Sequence, residues 1–498
     1  MRKTKIPGVI LTLLFLAASV CFMAQLWGMK MLPWNYLAWL GAILVLLTLF
    51  LRWMMDSTKR HKVRFVIGVV LFALLVTAMG TGMFYLHRTR STVDNISGVH
   101  TELSSVSIFV KTEDKDHFEE NAKTYTYGIL RDLDRENTNR AMVKFGEEMG
   151  SQPNFTEYDS PFDLANALFA GEVQAIILNG AYLPILEEVE GFGDIRSRLC
   201  EVAIAHVEVP ATEPPKQSGS PEDPSGSPQD PTEPESANVF TLYISGIDTF
   251  GKLATTSRSD VNIIAAINVD THQILLVSTP RDYFVPHPKS NGKCDKLTNA
   301  GVYGINVSMG ALETLYDVDL NYYFRVNFTG FKEIIDALGG VTVENAQSFT
   351  VDGYDYAKGS ITLNGEHALA FARERHSFAG GDRQRGKNQM AVIQGVLNKL
   401  LSKEMLMNYL DVLDAVEGSF ETSLPYDKIS ELVRLQLAEG GDWNVVSYSV
   451  NVFDDSQKPY SQGSNAYVMQ PDWATVETAK DLFAQLYRGE VPTLPDAE

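Results

Sequence analysis

Acidic and guanidinium side chains recur in three short segments of the 498-residue chain, all from residue 248 onward. The first segment holds Asp248 at the end of a predicted strand and Arg258–Asp260 at the start of the next. The second is Ser278–Asp282, where another predicted strand ends, and the third runs from Arg373 to Gln389 around a Gly-rich loop. Because ligand crevices form at strand ends in open α/β sheets, we expect these side chains to share one cleft.

The residue types in these segments indicate a phosphate ligand. Carboxylates such as Asp248 and Asp260 suit a hard divalent cation, Mg²⁺ or alternatively Mn²⁺. The guanidinium fork of arginine binds phosphate oxygens bidentately. Together they predict a Mg²⁺–pyrophosphate site. For any single arginine, an ordinary surface ion pair is the competing interpretation, and it stays open at this point.

The helix predicted after Asp382 extends this argument. An apolar stripe, which predicts its inward face, comprises Ile393, Val396, Leu397, Leu400 and Leu401. Stepping back by four residues from Ile393 reaches Gln389 and then Arg385, so we expect both to be buried. Buried polar groups need partners, and a helix N-terminus favours an anion, so a phosphate there would satisfy both conditions.

A second predicted helix begins at Asn364, a suitable N-cap, and ends at Arg373. Arg373 and Arg375 would project in the same direction only if the backbone between them is extended. The region from residue 238 to 490 otherwise alternates strands and helices, which predicts an α/β/α sandwich with a central mixed sheet. The clearest predicted elements are strands at 239–247, 261–269, 273–278, 322–327 and 341–344, and helices at 305–316 and 328–338.

The N-terminal region has a different composition. Residues 1–94 hold 11 Lys and Arg against 2 Asp and Glu, whereas the whole chain has a formal net charge of −20. Three uncharged runs lie in this region, and each is close to the ~20 residues that cross ~30 Å of hydrocarbon. We therefore predict a membrane anchor at 1–98 with spanning helices at about 6–28, 32–51 and 65–87. The first run as a signal peptide, and the runs as buried core helices, are the weaker alternatives.

The basic residues predict the orientation of this anchor. Lys and Arg concentrate before the first run and between the second and third, whereas Lys30 alone lies between the first and second. The positive-inside rule therefore places the N-terminus in the cytoplasm and everything beyond about residue 88 outside the cell. The acidic remainder of the chain also argues against a nucleic-acid partner, which would require a basic face.

Two further regions separate the anchor from the main domain. Residues 100–209 contain short strand and helix patterns that predict a small α/β accessory domain. Residues 210–237 include eight prolines among polar residues, which predicts a disordered linker, although a long loop within one domain is the alternative. Of the three cysteines, Cys200 and Cys294 fall in different predicted domains, and sequence does not decide whether they pair.

Residues 238 to about 405 resemble the LytR-CpsA-Psr family of cell-wall glycopolymer phosphotransferases. Several ordered motifs carry the resemblance, and the three-helix anchor with an accessory domain looks like that of the capsule-assembly members. One departure is Asn388-Gln389, where many members have Arg-Gln. The motifs are Gly246–Asp248, Arg258–Asp260, Ser278–Asp282, Asp295-Lys296, Gly339–Val341, Asn364–Leu369, Arg373–Arg375 and Asp382–Gln389.

The resemblance implies roles for particular residues. It assigns Asp248 and Asp260 to the metal, and Arg281, Asp260, Arg373 and Arg375 to catalysis. An apolar tunnel for a polyprenyl chain is also implied, with ordinary core packing as the alternative for each residue. The positions matching pyrophosphate contacts are Arg281, Lys296, Arg373, Arg375, Arg385 and Gln389, and the tunnel candidates are Val326, Phe328, Phe331, Ile334, Ile335 and Leu338.

The activity implied is Mg²⁺-dependent transfer of a glycopolymer, such as a capsular polysaccharide or teichoic acid, from polyprenyl pyrophosphate to a peptidoglycan sugar hydroxyl. Polyprenyl phosphate would leave, with Asp282 the general-base candidate by position. The resemblance further implies a Gram-positive type of bacterial cell membrane, with polysaccharide-assembly proteins as possible partners. Two alternatives are a non-catalytic regulator or scaffold of polysaccharide assembly and a lipid pyrophosphatase.

Overall fold

The chain folds into two compact units in the computed structural model, which describes residues 6–56, 62–96, 102–209, 238–249, 256–378, 381–402, 412, 415–416 and 418–495. The first unit comprises Met1–Gly98, Leu400–Glu417 and Leu424–Asp442. The second comprises Val99–Lys399, Gly418–Ser423 and Trp443–Glu498. The predicted accessory and catalytic domains therefore lie in one unit, apart from 400–417 and 424–442. The predicted linker at 210–237 lies outside the described residues.

The first unit contains the three predicted apolar helices, α1 (Ile6–Gly28), α2 (Trp34–Met54) and α3 (Lys62–Ile96). Each is long and apolar enough to cross a membrane. Their side chains pack around a small core that includes Phe15, Leu51 and Met55. Most of the remaining apolar side chains on these helices face outward, as the hydrocarbon interior of a bilayer requires.

The accessory domain, Glu102–Val209 in the structure, is built on a five-stranded mixed sheet in the order β3-β2-β4-β1-β5. Its helices fill the connections between strands, and it therefore has the small α/β architecture expected from the sequence. Its strands are β1 (Glu102–Lys111), β2 (Thr126–Leu130), β3 (Asn154–Tyr158), β4 (Ala175–Asn179) and β5 (Leu199–Val209). Its helices are α4 (Phe118–Asn121), α5 (Arg135–Met149), α6 (Pro161–Ala170), α7 (Leu183–Glu187) and α8 (Ile195–Arg198).

The central sheet of the second unit has six strands in the order β16-β11-β6-β7-β8-β17. Strands β11 and β6 are parallel, as are β8 and β17, whereas the other neighbours are antiparallel. This confirms the predicted mixed sheet. The strands are β6 (Val239–Ile247), β7 (Ser259–Asn268), β8 (Gln273–Thr279), β11 (Tyr322–Asn327), β16 (Phe420–Thr422) and β17 (Asn444–Ser449).

The described residues also form four two-stranded sheets and seven further α-helices, one of which, at Tyr426–Glu439, belongs to the first unit. The additional strands are β9 (Phe284–Pro286), β10 (Cys294–Lys296), β12 (Val341–Asn345), β13 (Phe349–Val351), β14 (Tyr354–Tyr356), β15 (Gly359–Leu363), β18 (Val452–Gln457) and β19 (Ala466–Pro471). The additional helices are α9 (Leu297–Ala300), α10 (Ile305–Tyr316), α11 (Phe328–Ala337), α12 (Gly365–Arg373), α13 (Asp382–Leu400) and α14 (Tyr426–Glu439). Helix α15 (Trp473–Tyr487) is the last of the described helices.

The central sheet carries helices on both faces. On one face, Ile264 and Val277 pack in a core with Leu312 of α10 and Phe483 of α15. Successive strand residues point to opposite faces, so Ser278 lies on the other side from Val277. Helix α13 approaches Ser278 there, since a Cβ added at Gly386 would lie 3.3 Å from the Ser278 hydroxyl. The predicted α/β/α arrangement is therefore confirmed.

The buried face of α13 differs from the predicted one. Val392 is almost fully buried, whereas Ile393 is only half-buried and Leu400 is exposed. The helix packs closely at Gly395, where an added Cβ would lie 2.6 Å from the backbone oxygen of Thr342 in β12. This close approach turns the helix so that Arg385, Asn388, Met390, Val392 and Gly395 are buried. The predicted stripe was wrong in its position around the helix, although Arg385 is buried as predicted.

The accessory domain is joined to the central sheet by a buried ion pair. Arg325 of β11 contacts the carboxylate of Glu102 and also lies 2.7 Å from Glu421 of β16. Glu102 additionally accepts a hydrogen bond from the backbone N–H of Ile305, at 2.9 Å. Neither Arg325 nor Glu102 belongs to any of the sequence motifs described above. Cys200 and Cys294, like Cys21, are free thiols in the structure.

Candidate functional site

Strand register brings the three sequence segments to one edge of the central sheet. Strands β6 and β7 are antiparallel, so the end of β6, next to Asp248, meets the start of β7, which carries Asp260. Asn262 pairs with Thr279, which places Arg281, just after β8, at the same edge. The parallel strand β11 also ends here, where α11 begins. The carboxyl ends of three strands therefore surround one crevice.

Asp260 and Arg281 form the centre of this edge. The Arg281 Nη1 atom donates to the Asp260 carboxylate at 2.9 Å, and the Thr298 hydroxyl donates to its other oxygen at 3.1 Å. Burial raises the pKa of Asp260, but the guanidinium groups of Arg281, Arg258 and Arg385 outweigh burial and hold that pKa below its ordinary range. Asp260 is therefore a carboxylate anion at neutral pH.

A second group of charges adjoins this pair. The Lys296 Nζ atom lies 2.7 Å from Glu188 and 3.5 Å from Asp282. Arg258 lies 2.5 Å from the other oxygen of Glu188 and 3.9 Å from Asp248. Because Asp282 also lies 3.5 Å from Arg281, the acidic and basic groups form one continuous alternating network.

The network opens into a cavity of about 560 Å³. One side of the cavity is charged, and the other is a wall contributed by the β18–β19 hairpin. On that wall the Tyr467 hydroxyl donates to Asp454 at 2.7 Å. The lining residues are Glu188, Arg281, Asp282, Lys296, Arg375, Gly381, Arg383, Val452, Asp454, Ala466, Tyr467 and Met469. A ligand here would meet cations on one side and an aromatic ring with a carboxylate on the other.

Arg373 and Arg375 contact different neighbours. Arg373 is the last residue of α12, and its guanidinium carbon lies 4.4 Å from the ring centroid of Phe328. Glu374, at φ −67° and ψ 130°, is extended, and Arg375 after it lines the cavity. The backbone between the two arginines is thus extended, which is the condition for both side chains to project in the same direction. The structure places Arg375, but not Arg373, among the cavity-lining residues.

The start of α13 brings two more predicted residues to this edge. Arg385 is buried and acts electrostatically on Asp260. Gln389 is half-buried and donates to the backbone oxygen of Ala372 at 3.3 Å, next to Arg373. The neighbouring Asn388 is the more deeply buried of the pair and donates to the backbone oxygen of Phe371 at 3.1 Å. Both amides therefore tie α13 to the end of α12.

The predicted tunnel residues cluster in β11 and α11. Val326, Ile335 and Leu338 are buried, whereas Phe328, Phe331 and Ile334 are half-buried. The Phe328 ring contacts a predicted phosphate-binding residue, Arg373, at 4.4 Å from the guanidinium carbon. The apolar patch and the charged edge are therefore adjacent at the start of α11.

The donor set suits a divalent cation that is also held by phosphate. Asp248 and Asp260 carry carboxylate oxygens at neighbouring strand ends, and the Asp248 side chain is 39% exposed. In the part of the chain that is described, His, Cys, Asp and Glu form no cluster of three or more ligands. Mg²⁺ commonly uses one or two carboxylates and completes its shell with water and substrate phosphates, so two carboxylates fit it.

Sequence reasoning missed two contributors to the site. Glu188 lies in the accessory domain, more than fifty residues before the first motif, and no spacing relates it to Lys296. The hairpin residues Asp454 and Tyr467 also carry no motif. Arg258 belongs to the Arg258–Asp260 motif, and its closeness to Asp260 in the sequence is the signal that points to a role in the site.

The fold and this charged edge define a family. Residues 211–480 match the family model described as the LytR_cpsA_psr family. That match covers more than half of the chain, and the protein belongs to the LytR-CpsA-Psr family.

Individual relatives are similar over a shorter range. The chain is 37% identical over 196 residues to a protein of Enterococcus faecalis (strain ATCC 700802 / V583), named a polyisoprenyl-teichoic acid–peptidoglycan teichoic acid transferase, TagU. It is 40% identical over 178 residues to the TagU of Bacillus cereus (strain AH820). These matches cover 39% and 36% of this chain, and 64% and 58% of the two relatives. The chain thus spans less than two thirds of either relative.

Among solved structures, the crystal structure of TagU from B. subtilis is 27% identical in sequence, with a TM-score of 0.40. The superposition covers 52% of this chain and 99% of that one.

Proposed function

We propose that this protein transfers a glycopolymer from a polyprenyl-pyrophosphate carrier to a sugar hydroxyl of peptidoglycan. The observation that carries the proposal is the convergence of Asp260, Arg281, Lys296 and Arg385 at one sheet edge beside an apolar patch. Cations suit the pyrophosphate, and the patch around Phe328 suits the first part of a polyprenyl chain. The names of the two TagU relatives support the same substrate class.

The chemistry requires one bond exchange at phosphorus. An acceptor hydroxyl attacks the phosphorus that bears the glycan, the bond to the bridging oxygen breaks, and polyprenyl phosphate leaves. Arg281 and Lys296 stabilise the charge that builds on the phosphate oxygens, because such charge is better stabilised by fixed cations than by water. The hydroxyl proton passes to a carboxylate, and Asp282, which lines the cavity beside Lys296, is the group we assign.

Asp248 and Asp260 would hold Mg²⁺ or Mn²⁺. When bound, such an ion would neutralise part of the pyrophosphate charge and help to orient it. The three apolar helices would anchor the protein in a bacterial cell membrane, with its N-terminus in the cytoplasm and the site outside. The carrier then supplies the energy of transfer through its own phosphoanhydride bond.

The test is an assay of the full-length protein in detergent with a lipid-pyrophosphate oligosaccharide, peptidoglycan and Mg²⁺. We expect Arg281→Ala and Asp260→Ala to slow transfer about a hundredfold or more, and Arg488→Ala to transfer normally, since Arg488 pairs with Glu490 at the surface. Wild-type rates in the first two variants would refute the assigned site. Free phosphorylated glycan as the main product would instead identify a pyrophosphatase, and glycan binding without lipid phosphate release would identify a scaffold.

A further inference from the structure

One carboxylate in the cavity comes from the accessory domain. Glu188 directly follows α7, yet its two oxygens lie 2.7 Å from Lys296 and 2.5 Å from Arg258. Both cations belong to the main domain and lie at the edge where the pyrophosphate would bind. The substrate site is therefore built from two parts of the chain that are separate in sequence.

The accessory domain holds this carboxylate on a firmly packed element. Leu183, Ile185 and Leu186 of α7 are buried in an apolar cluster that also contains Val302 and Tyr303 of the main domain. The hydroxyl groups of Tyr182 and Tyr303 are hydrogen-bonded at 3.0 Å. This packing holds the backbone next to Glu188 in place, and the Glu188 side chain lines the cavity.

Glu188 is the nearest acidic partner of both cations. The side chains of Lys296 and Arg258 are only 6% and 10% exposed, so each needs a counter-ion. Their other carboxylates are farther away, at 3.5 Å for Asp282 and 3.9 Å for Asp248. The Glu188 side chain itself is 31% exposed, so it can leave the pair without being trapped in the interior.

We propose that Glu188 is a substrate-site residue that competes with the substrate phosphate for Lys296 and Arg258. A phosphate oxygen that binds these cations comes close to the carboxylate, and like charges at such distances repel. Glu188 thus weakens binding of the diphosphate and, by taking the cations back, favours release of the lipid phosphate. The inference rests on the proposed function, in which this cavity binds a pyrophosphate.

The experiment measures the binding of inorganic pyrophosphate by calorimetry, using the full-length protein in detergent at one fixed Mg²⁺ concentration. We expect Glu188→Gln and Glu188→Ala to bind pyrophosphate about twofold to fivefold more tightly than wild type, the range set by one partly exposed charge. The matched control is Glu187→Gln. Glu187 is the preceding residue, but it pairs with Arg196 at 2.7 Å on the surface, so its replacement leaves the affinity unchanged.

The proposal would be overturned if both Glu188 variants bind pyrophosphate as tightly as wild type or more weakly, while their melting temperatures equal that of wild type. Two substitutions are used because they share the lost charge but differ in size. Arg281→Ala in the same assay separates the two hypotheses. If it binds pyrophosphate as wild type does, the proposed function fails. If it loses binding while the Glu188 variants stay at the wild-type affinity, only the role of Glu188 fails.

Discussion

Arg281 donates a hydrogen bond from its Nη1 atom to the Asp260 carboxylate at 2.9 Å, across two strand ends that lie 21 residues apart in sequence. The same guanidinium lies 3.5 Å from Asp282 and lines the cavity. The charge of Arg281 and the planar shape of its fork can therefore be tested separately.

Arg281→Lys keeps the charge but removes the fork, whereas Arg281→Ala removes both. We expect the alanine variant to lose about 10²- to 10³-fold in kcat, the loss typical of one group that stabilises charge in the transition state. The lysine variant should fall between this value and wild type, because a lysine cannot bind bidentately. Steady-state rates of glycan transfer measure both. Equal rates for the lysine variant and wild type would contradict a bidentate role.

Phe328 supports the guanidinium of Arg373, with 4.4 Å between the guanidinium carbon and the ring centroid. A cation–π contact of this kind is worth about 0.5–1 kcal/mol at an exposed site, so Phe328→Ala should lower kcat/KM for the lipid substrate about twofold to fivefold. Phe328→Tyr keeps an aromatic ring and should transfer at close to the wild-type rate. If both variants lose activity equally, the aromatic ring face of residue 328 is not what supports Arg373, and the cation–π explanation is wrong.

Arg325 is buried between Glu102 and Glu421, and it links the accessory domain to β11. Arg325→Met would leave two carboxylates facing each other without a cation, which should cost about 3–5 kcal/mol of folding stability. The melting temperature of the full-length protein in detergent measures the effect. Adding Glu102→Gln to the variant removes one of the unpaired charges and should restore part of the loss. No recovery in the double variant would argue against the electrostatic explanation.

Asp134 is buried in the accessory domain, where its carboxylate accepts hydrogen bonds from Asn137 at 2.6 Å and Asn179 at 2.9 Å. Burial raises the pKa of Asp134 to about 6, from an ordinary value of 3.8. The folded state therefore holds this proton more tightly than the unfolded state does. The stability that Asp134 contributes is fully present below about pH 4 and is lost as pH rises through about 6.

Asp134→Asn removes this pH dependence. Relative to wild type, the variant should gain stability between pH 4 and pH 7, by up to about 3 kcal/mol for a shift of about two pH units. Melting temperatures of both proteins across this range measure the difference, and Asp132→Asn, an exposed neighbour, is the control. A difference that does not change with pH would contradict the raised pKa of Asp134.

Local patterns in the sequence were sufficient to predict most secondary structure. The strand at Val239–Ile247 and the helices at Ile305–Tyr316 and Phe328–Ala337 follow from apolar periodicity and turn residues, which act over short distances. The three apolar helices follow from length and composition alone. The motifs around Asp260, Arg281 and Arg385 identified which side chains meet, because strand ends in an α/β sheet share an edge.

Tertiary packing decided what those patterns do not encode. The contact at Gly395 set which face of α13 is buried, and this made Asn388, not Gln389, the more deeply buried amide. The docking of α7 against Tyr303 brought Glu188 to Lys296, two residues 108 positions apart in the chain. Periodicity describes each element by itself, whereas contacts between distant elements depend on how complete surfaces fit together, and so only the folded chain reveals them.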